Sequence, residues 1–236
     1  MKKQMLILAL LAAGVVCQGA PNVIFKVDFT KSQVAETTSK KVYPYPVKTG
    51  KNKNLEIDKE KGLIVGEEKA SAHYSIPGLF NSKAGSVELL VRNLNWEVND
   101  RKKHLFMQIY RPGLIYFYKH SNDGVAVYIS NPENKRSVFL GNMPKWKKDT
   151  EHHLVFTWEN GEVSLFIDGT KAAVRKFVMP EKMPEGFSLG TPGKHQLNSD
   201  NTAIKFVRIY DGALSIKEVF EMFKKSQPQD SDIIEE

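Results

Sequence analysis

An all-β domain closed by one short helix is predicted by three observations. Apolar residues recur at every second position through successive short segments, the period of a half-buried strand. Gly, Pro, Asn and Asp sit between most of those segments, as at Arg111-Pro112-Gly113, Ser121-Asn122-Asp123-Gly124 and Glu159-Asn160-Gly161. Helical spacing with a start signal is found in one place, after Ser215. A chain of 236 residues with 41% apolar content can bury one sizeable core.

In chain order, strands are predicted at 23–29, 62–66, 70–76, 86–93, 104–110, 113–119, 124–130, 152–159, 162–168, 171–177, 186–189 and 203–210. The clearest hairpin runs from Glu151 to Gly169, where alternation on both sides flanks Glu159-Asn160-Gly161. The helix begins with Ser215 as cap and Glu218 as its capping-box partner. Val219, Phe220 and Phe223 form its apolar stripe, which should dock on the rim of the sandwich. Residues 226–236 carry acids but too little apolar material to fold, and read as a disordered acidic tail. No internal repeat or long linker interrupts the domain, set at 20–225.

Met1-Lys2-Lys3 followed by Leu6-Ile7-Leu8-Ala9-Leu10-Leu11 reads as a signal peptide, residues 1–19, too short in its apolar run to remain as a transmembrane span. Cleavage after Gly19 gives an exported chain starting at Ala20, in the periplasm, at the cell surface or secreted. Cys17 offers a lipid anchor as an alternative, but Gly14-Val15-Val16 is a poor context for one. Once residues 1–19 are removed the chain has no cysteine, so disulfides and thiolate chemistry are excluded.

Loss of Lys2 and Lys3 leaves +5 of the formal +7. Basic clusters at Lys40-Lys41, Arg101-Lys102-Lys103 and Lys145-Lys147-Lys148 fall in expected loops and read as solvated surface or as a contact for an anionic partner. Nucleic acid is excluded as a partner, because no binding module accompanies the charge.

Alternation assigns Leu105, Met107, Ile109, Ile115, Phe117, Val125, Val127 and Ile129 to a core face. The opposite face carries Phe106, Gln108, Tyr110, Tyr116, Tyr118, His120, Tyr128 and Ser130, with Glu88 and Arg92 expected on a flanking strand. Tyrosine offers a flat apolar ring and a hydroxyl, the pairing that suits a sugar's C–H patches and hydroxyls. Tyrosine is also a strand former that stabilises sheets through cross-strand pairs, so sheet filler is the competing reading. The candidate ligand-binding residues are Arg92, Gln108, Tyr110, Tyr116, Tyr118, His120 and Tyr128.

His152-His153-Leu154-Val155-Phe156-Thr157-Trp158, the Leu165-Phe166-Ile167-Asp168-Gly169 turn and the closing Arg208-Ile209-Tyr210-Asp211-Gly212-Ala213-Leu214-Ser215 occur in an order that resembles the laminin-G-like branch of the concanavalin A-like lectin/glucanase jelly rolls. Gly85-Ser86-Val87-Glu88, Trp96 and His104-Leu105-Phe106 extend the resemblance upstream, over about residues 22–225. It implies a two-sheet jelly-roll sandwich and a scaffold role for His152-His153, with Trp146 and Trp158 in the core. Trp96 fits either a loop anchor or a rim contact.

The resemblance also frames activity. The glucanases' Glu-x-Asp-x-Glu strand is absent, which speaks against a retaining glycosidase. Alginate-lyase-like members would map onto Arg92, Gln108, Tyr118 and His120, Gln108-Ile109-Tyr110 being similar to their Gln-Ile-His strand; the histidine is Tyr110 here. Relatives often bind calcium, but Lys205 stands where their closing strand places an acid, so no metal and no cofactor are expected. Asp28, Asp123, Asp168 and Asp200 are scattered, and turn formation accounts for the middle two. The expected function is noncatalytic recognition of a polysaccharide or glycoprotein; a protein-binding adhesion module and a polysaccharide lyase are the alternatives.

Overall fold

The computed structural model describes residues 19–47, 54–66, 69–110, 114–122, 124–130, 136–142, 146–191 and 201–227. The predicted signal sequence before Gly19, Cys17, and most of the acidic tail lie outside the described residues, as do Asp123, Lys145 and Asp200. Among the described residues no helix is long and apolar enough to cross a membrane.

The strands are β1 Val23–Asp28, β2 Ala35–Thr37, β3 Lys41–Val42, β4 Tyr45–Val47, β5 Glu56–Asp58, β6 Gly62–Val65, β7 Ser71–Ser75, β8 Ala84–Asn93 and β9 His104–Tyr110. They continue with β10 Leu114–His120, β11 Gly124–Ser130, β12 Arg136–Asn142, β13 Glu151–Glu159, β14 Glu162–Ile167, β15 Thr170–Lys176, β16 Gly186–Leu189 and β17 Thr202–Tyr210. Helix α1 spans Ile216–Ser226.

Two antiparallel sheets face each other, as predicted for a jelly-roll sandwich. One runs β15-β14-β13-β8-β17-β1-β2-β3, with β6 joining β17 and β5 joining β6; the other runs β12-β11-β10-β9-β16-β7-β4. Between them lies a continuous apolar core that includes Phe25, Leu89, Met107, Phe117, Trp158, Phe187 and Val207. Phe25 meets Tyr74 and Phe187 edge to face, both with centroids at 5.2 Å, tying the first strand to the opposite sheet.

The β13–β14 turn is built as the sequence predicts, with positive φ at Asn160 (50°) and Gly161 (75°), which a two-residue primed hairpin turn requires. Strand β12 was not predicted. Its apolar run, Val138-Phe139-Leu140, is only three residues long between Lys135-Arg136 and Gly141-Asn142, too short to show alternation.

One expected pair of faces is reversed. A bulge between β9 and β10 places Met107 opposite Phe117 and Leu105 opposite Tyr118, leaving Phe106 as the extra residue. Phe106 therefore turns into the main core, while Leu105 joins Tyr118 and Ala126 on the outer face.

The helix cap is the predicted capping box. Glu218 N–H donates to Ser215 Oγ (3.3 Å), and Ser215 N–H donates to Glu218 Oε2 (2.7 Å). The helix lies across the outer face of the larger sheet rather than on the rim: Val219 and Met222 pack with Val155, Phe166, Tyr210 and Leu214. Phe220, expected in the stripe, is exposed and sits beneath Lys224 Nζ at 4.4 Å. At about 100° per residue, positions 219, 222 and 223 share a face that 220 does not.

Candidate ligand-binding face

Strand pairing alone assembles the candidate site. On the outer face of the seven-stranded sheet, Tyr45 pairs with His73, His73 with Ser188, Ser188 with Gln108, Gln108 with Tyr116, and Tyr116 with Tyr128. This is one transverse row across six strands, about 24 Å long at about 4.8 Å per strand. Aromatic rings stand at both ends and polar side chains fill the middle.

The row is locally fixed. His73 Nδ1 and Ser188 Oγ are hydrogen-bonded at 2.9 Å, and the His73 ring lies 4.7 Å from that of Tyr45. Burial lowers the pKa of His73, so its ring is neutral at pH 7 and can donate from one nitrogen while accepting at the other. Tyr116 and Tyr128 rings are 5.9 Å apart. Gln108 is only 6% exposed, whereas Tyr45 is 50% exposed, so the polar middle is a floor and Tyr45 a raised wall.

The predicted residues divide. Gln108, Tyr116, His120 and Tyr128 share this face. The backbone of Tyr110 belongs to the same sheet, but its side chain lies outside the described residues. Tyr118 faces the right way yet is 5% exposed, packed with Leu105 and Ala126; burial and the nearby Tyr128 raise its pKa. It supports the face rather than presenting a ring.

Arg92 is misplaced by the sequence reading. Strand β8 pairs with β13 and β17 in the larger sheet, so Arg92 lies on the far side of the sandwich, with Asp149 Oδ1 at 3.7 Å and Glu151 Oε1 at 3.9 Å. The segment 94–103 crosses from one sheet to the other, which adjacency in sequence hides. Arg92, Gln108, Tyr118 and His120 thus do not converge, and the lyase arrangement is not formed.

Glu88 also belongs to the far sheet, fully buried beneath α1. It accepts from Arg208 Nη1 (3.1 and 3.2 Å) and Tyr210 Oη (2.5 Å), with His153 Nε2 at 2.9 Å. Burial pushes its pKa up, but hydrogen bonding from His153 and the charge of Arg208 outweigh this and hold it below the ordinary carboxylate value.

The remaining motif residues are scaffold. His152 stacks on Trp146 (3.6 Å, 3° between planes), its Nδ1 lies 2.8 Å from Asp168 Oδ2, and Asp168 Oδ1 accepts from His153 N–H at 2.9 Å. Trp96 is a buried loop anchor, stacked on His104 at 4.1 Å and donating from Nε1 to Thr202 Oγ1 at 2.9 Å. Lys205, which stands where calcium-binding relatives place an acid, donates to Glu151 Oε1 at 3.0 Å.

A groove of about 760 Å³ lies on the far sheet beside the start of α1. Glu159, Glu162, Asp211 and Glu218 line it against Lys171, and its aromatic residue Phe166 is buried. That lining lacks the exposed rings of the transverse row.

Residues 68–220 match the family described as the concanavalin A-like lectin/glucanases superfamily, well over half of the chain. The protein belongs to this superfamily. Solved structures agree on the fold. The botulinum neurotoxin serotype D binding domain aligns with TM-score 0.70 and 10% identity over 86% of this chain and 52% of that one. The serotype G binding domain aligns at 0.67 and 11% over 86% and 51%, and the serotype D ligand binding domain in complex with N-acetylneuraminic acid at 0.68 and 10% over the same shares. The chain thus spans about half the length of these structural neighbours. No curated protein matches it in sequence.

His73, Ser188 and Tyr45 were missed by sequence reasoning. His73 looks isolated because its neighbours come from strands far away in the chain. The alternation of β7, with Ala72 and Tyr74 buried on either side of it, was the signal that it points outward.

Proposed function

We propose that this protein is an exported, noncatalytic recognition module that holds a polysaccharide or glycoconjugate along the transverse row of the seven-stranded sheet. The observation that carries the reading is the continuity of that row: Tyr45, Tyr116 and Tyr128 supply flat apolar surface, and His73, Ser188 and Gln108 supply hydroxyl partners between them. Superfamily membership supports it, and one structural neighbour is a ligand binding domain in complex with N-acetylneuraminic acid. The lysine-led apolar start of the sequence supports export.

Among the described residues no carboxylate pair flanks the row, and Arg92, the arginine of the lyase alternative, lies on the other sheet. A glycan array probed with the 20–236 chain tests the proposal. Retention of a glycan class by the wild type, lost in Tyr116→Ala/Tyr128→Ala with an unchanged melting temperature, is the expected result. Full retention by that double variant would move the site elsewhere.

A further inference from the structure

At one end of the outer face the sheet register brings a second kind of chemistry beside the aromatic row. Lys119 pairs with His104 at the start of β9, and the same register continued by one residue sets Lys103, just before β9, opposite His120 and beyond the Tyr118–Leu105 pair. The connecting loop is pinned so that its acid faces inward. Asp100 binds the fully buried ammonium of Lys119, and its Oδ2 lies 2.5 Å from His104 Nε2. Arg101, held at φ 55°, turns the chain directly after it, and Arg101-Lys102-Lys103 follow on the solvent side.

His120 is oriented as a donor in this setting. Its Nδ1 accepts from Asn122 N–H at 3.1 Å, so the proton of the neutral ring sits on Nε2. Burial, with the charges of Lys103 and Lys119, lowers its pKa and leaves the ring a neutral donor. Four residues along β10 separate His120 from Tyr116, about 13 Å at about 3.3 Å per residue.

We infer that the ligand of this face is an acidic glycan, whose carboxylate or sulfate is received by Lys103 and His120 about 13 Å from the sugar ring stacked at Tyr116. The inference rests on the glycan reading above and adds the charge of the ligand and the polarity of its placement. A neutral chain would fill the row but leave this cationic end without a partner.

The test compares polygalacturonate with its carboxyl-reduced, neutral form, and dextran sulfate with dextran, by affinity electrophoresis at low and high salt. The acidic member of one pair should bind about tenfold tighter, the preference falling as salt screens the contact. Which pair responds tells carboxylate from sulfate. Lys103→Glu should abolish the preference, and Tyr116→Ala/Tyr128→Ala should weaken the acidic chain as well. Equal binding of acidic and neutral members overturns this inference alone, whereas no binding of any chain removes the glycan reading with it. Acidic binding that ignores the tyrosine changes but is lost in Lys103→Glu also overturns it, because the charge would then act without the row.

Discussion

The indole of Trp158 occupies the space that a side chain at Gly85 would need: a Cβ built there would lie 2.3 Å from Trp158 Cζ2. The two residues face each other across β8 and β13, and Trp158 Nε1–H donates to the Asn81 carbonyl at 2.7 Å. Gly85→Ala should therefore destabilise by overpacking, about 1–3 kcal/mol, and Trp158→Ala by cavity formation, about 3–5 kcal/mol. Urea denaturation of both single variants and of Gly85→Ala/Trp158→Ala checks this. The double variant should cost less than the sum, since the clash vanishes with the indole.

Glu88 gives stability a defined pH dependence. Its folded pKa lies below the ordinary 4.5, so its contribution is present above that value and is lost as pH falls through the folded pKa. Glu88→Gln should lower stability at pH 7 by about 3–5 kcal/mol, because Arg208 loses its buried counter-charge and one of the two acceptor oxygens becomes an amide donor that cannot receive Arg208 or Tyr210. It should also flatten the loss below pH 4.5. Thermal melts from pH 7 to pH 3 measure both effects, and parallel curves for the two proteins would contradict the assignment.

Tyr116 and Tyr118 are neighbours on one strand with different predicted phenotypes. Tyr118→Ala should lower the melting temperature, since it empties a packed site between Leu105 and Ala126. Tyr116→Ala should leave the melt nearly unchanged and weaken glycan retention about tenfold. Calorimetry and binding on the same two samples separate the roles.

The capping box predicts a local effect. Ser215→Ala should cost about 1 kcal/mol, and Val219→Ala more, because Val219 is buried beneath the helix against the sheet. Chemical denaturation of the two variants gives the ranking.

Calcium should not stabilise the fold. Lys205 carries a positive charge at the candidate position and is paired with Glu151. The melting temperature in millimolar calcium should equal that in chelator; a rise with calcium but not magnesium would show a site elsewhere.

Local features were legible in the sequence: the β13–β14 hairpin from its alternation and Asn160-Gly161, and the helix start from Ser215 and Glu218. Face assignment failed where a single inserted residue, Phe106, shifted the period, because a bulge leaves no mark in composition. The candidate site was half visible. Tyr116, Tyr128 and Gln108 come from consecutive strands, whereas His73, Ser188 and Tyr45 are brought to them by pairings far apart in the chain. Arg92 shows the converse error, since sequence neighbours β8 and β9 belong to different sheets.

The position of β17 sets the order in which this molecule can become complete. That strand is seated between β8 and β1 and also pairs with β6, while Asn22 before β1 is clamped to Asp211 after β17 by hydrogen bonds of 2.7 and 3.0 Å. Until Thr202–Tyr210 is in place, the larger sheet is three separate pieces, β15-β14-β13-β8, β1-β2-β3 and β5-β6. Closing this sheet requires β17 to meet strands made much earlier, a high-contact-order route that is slow by nature. For a polypeptide proposed to be threaded unfolded through a membrane, that delay is useful: the strand that joins the pieces follows every strand it joins.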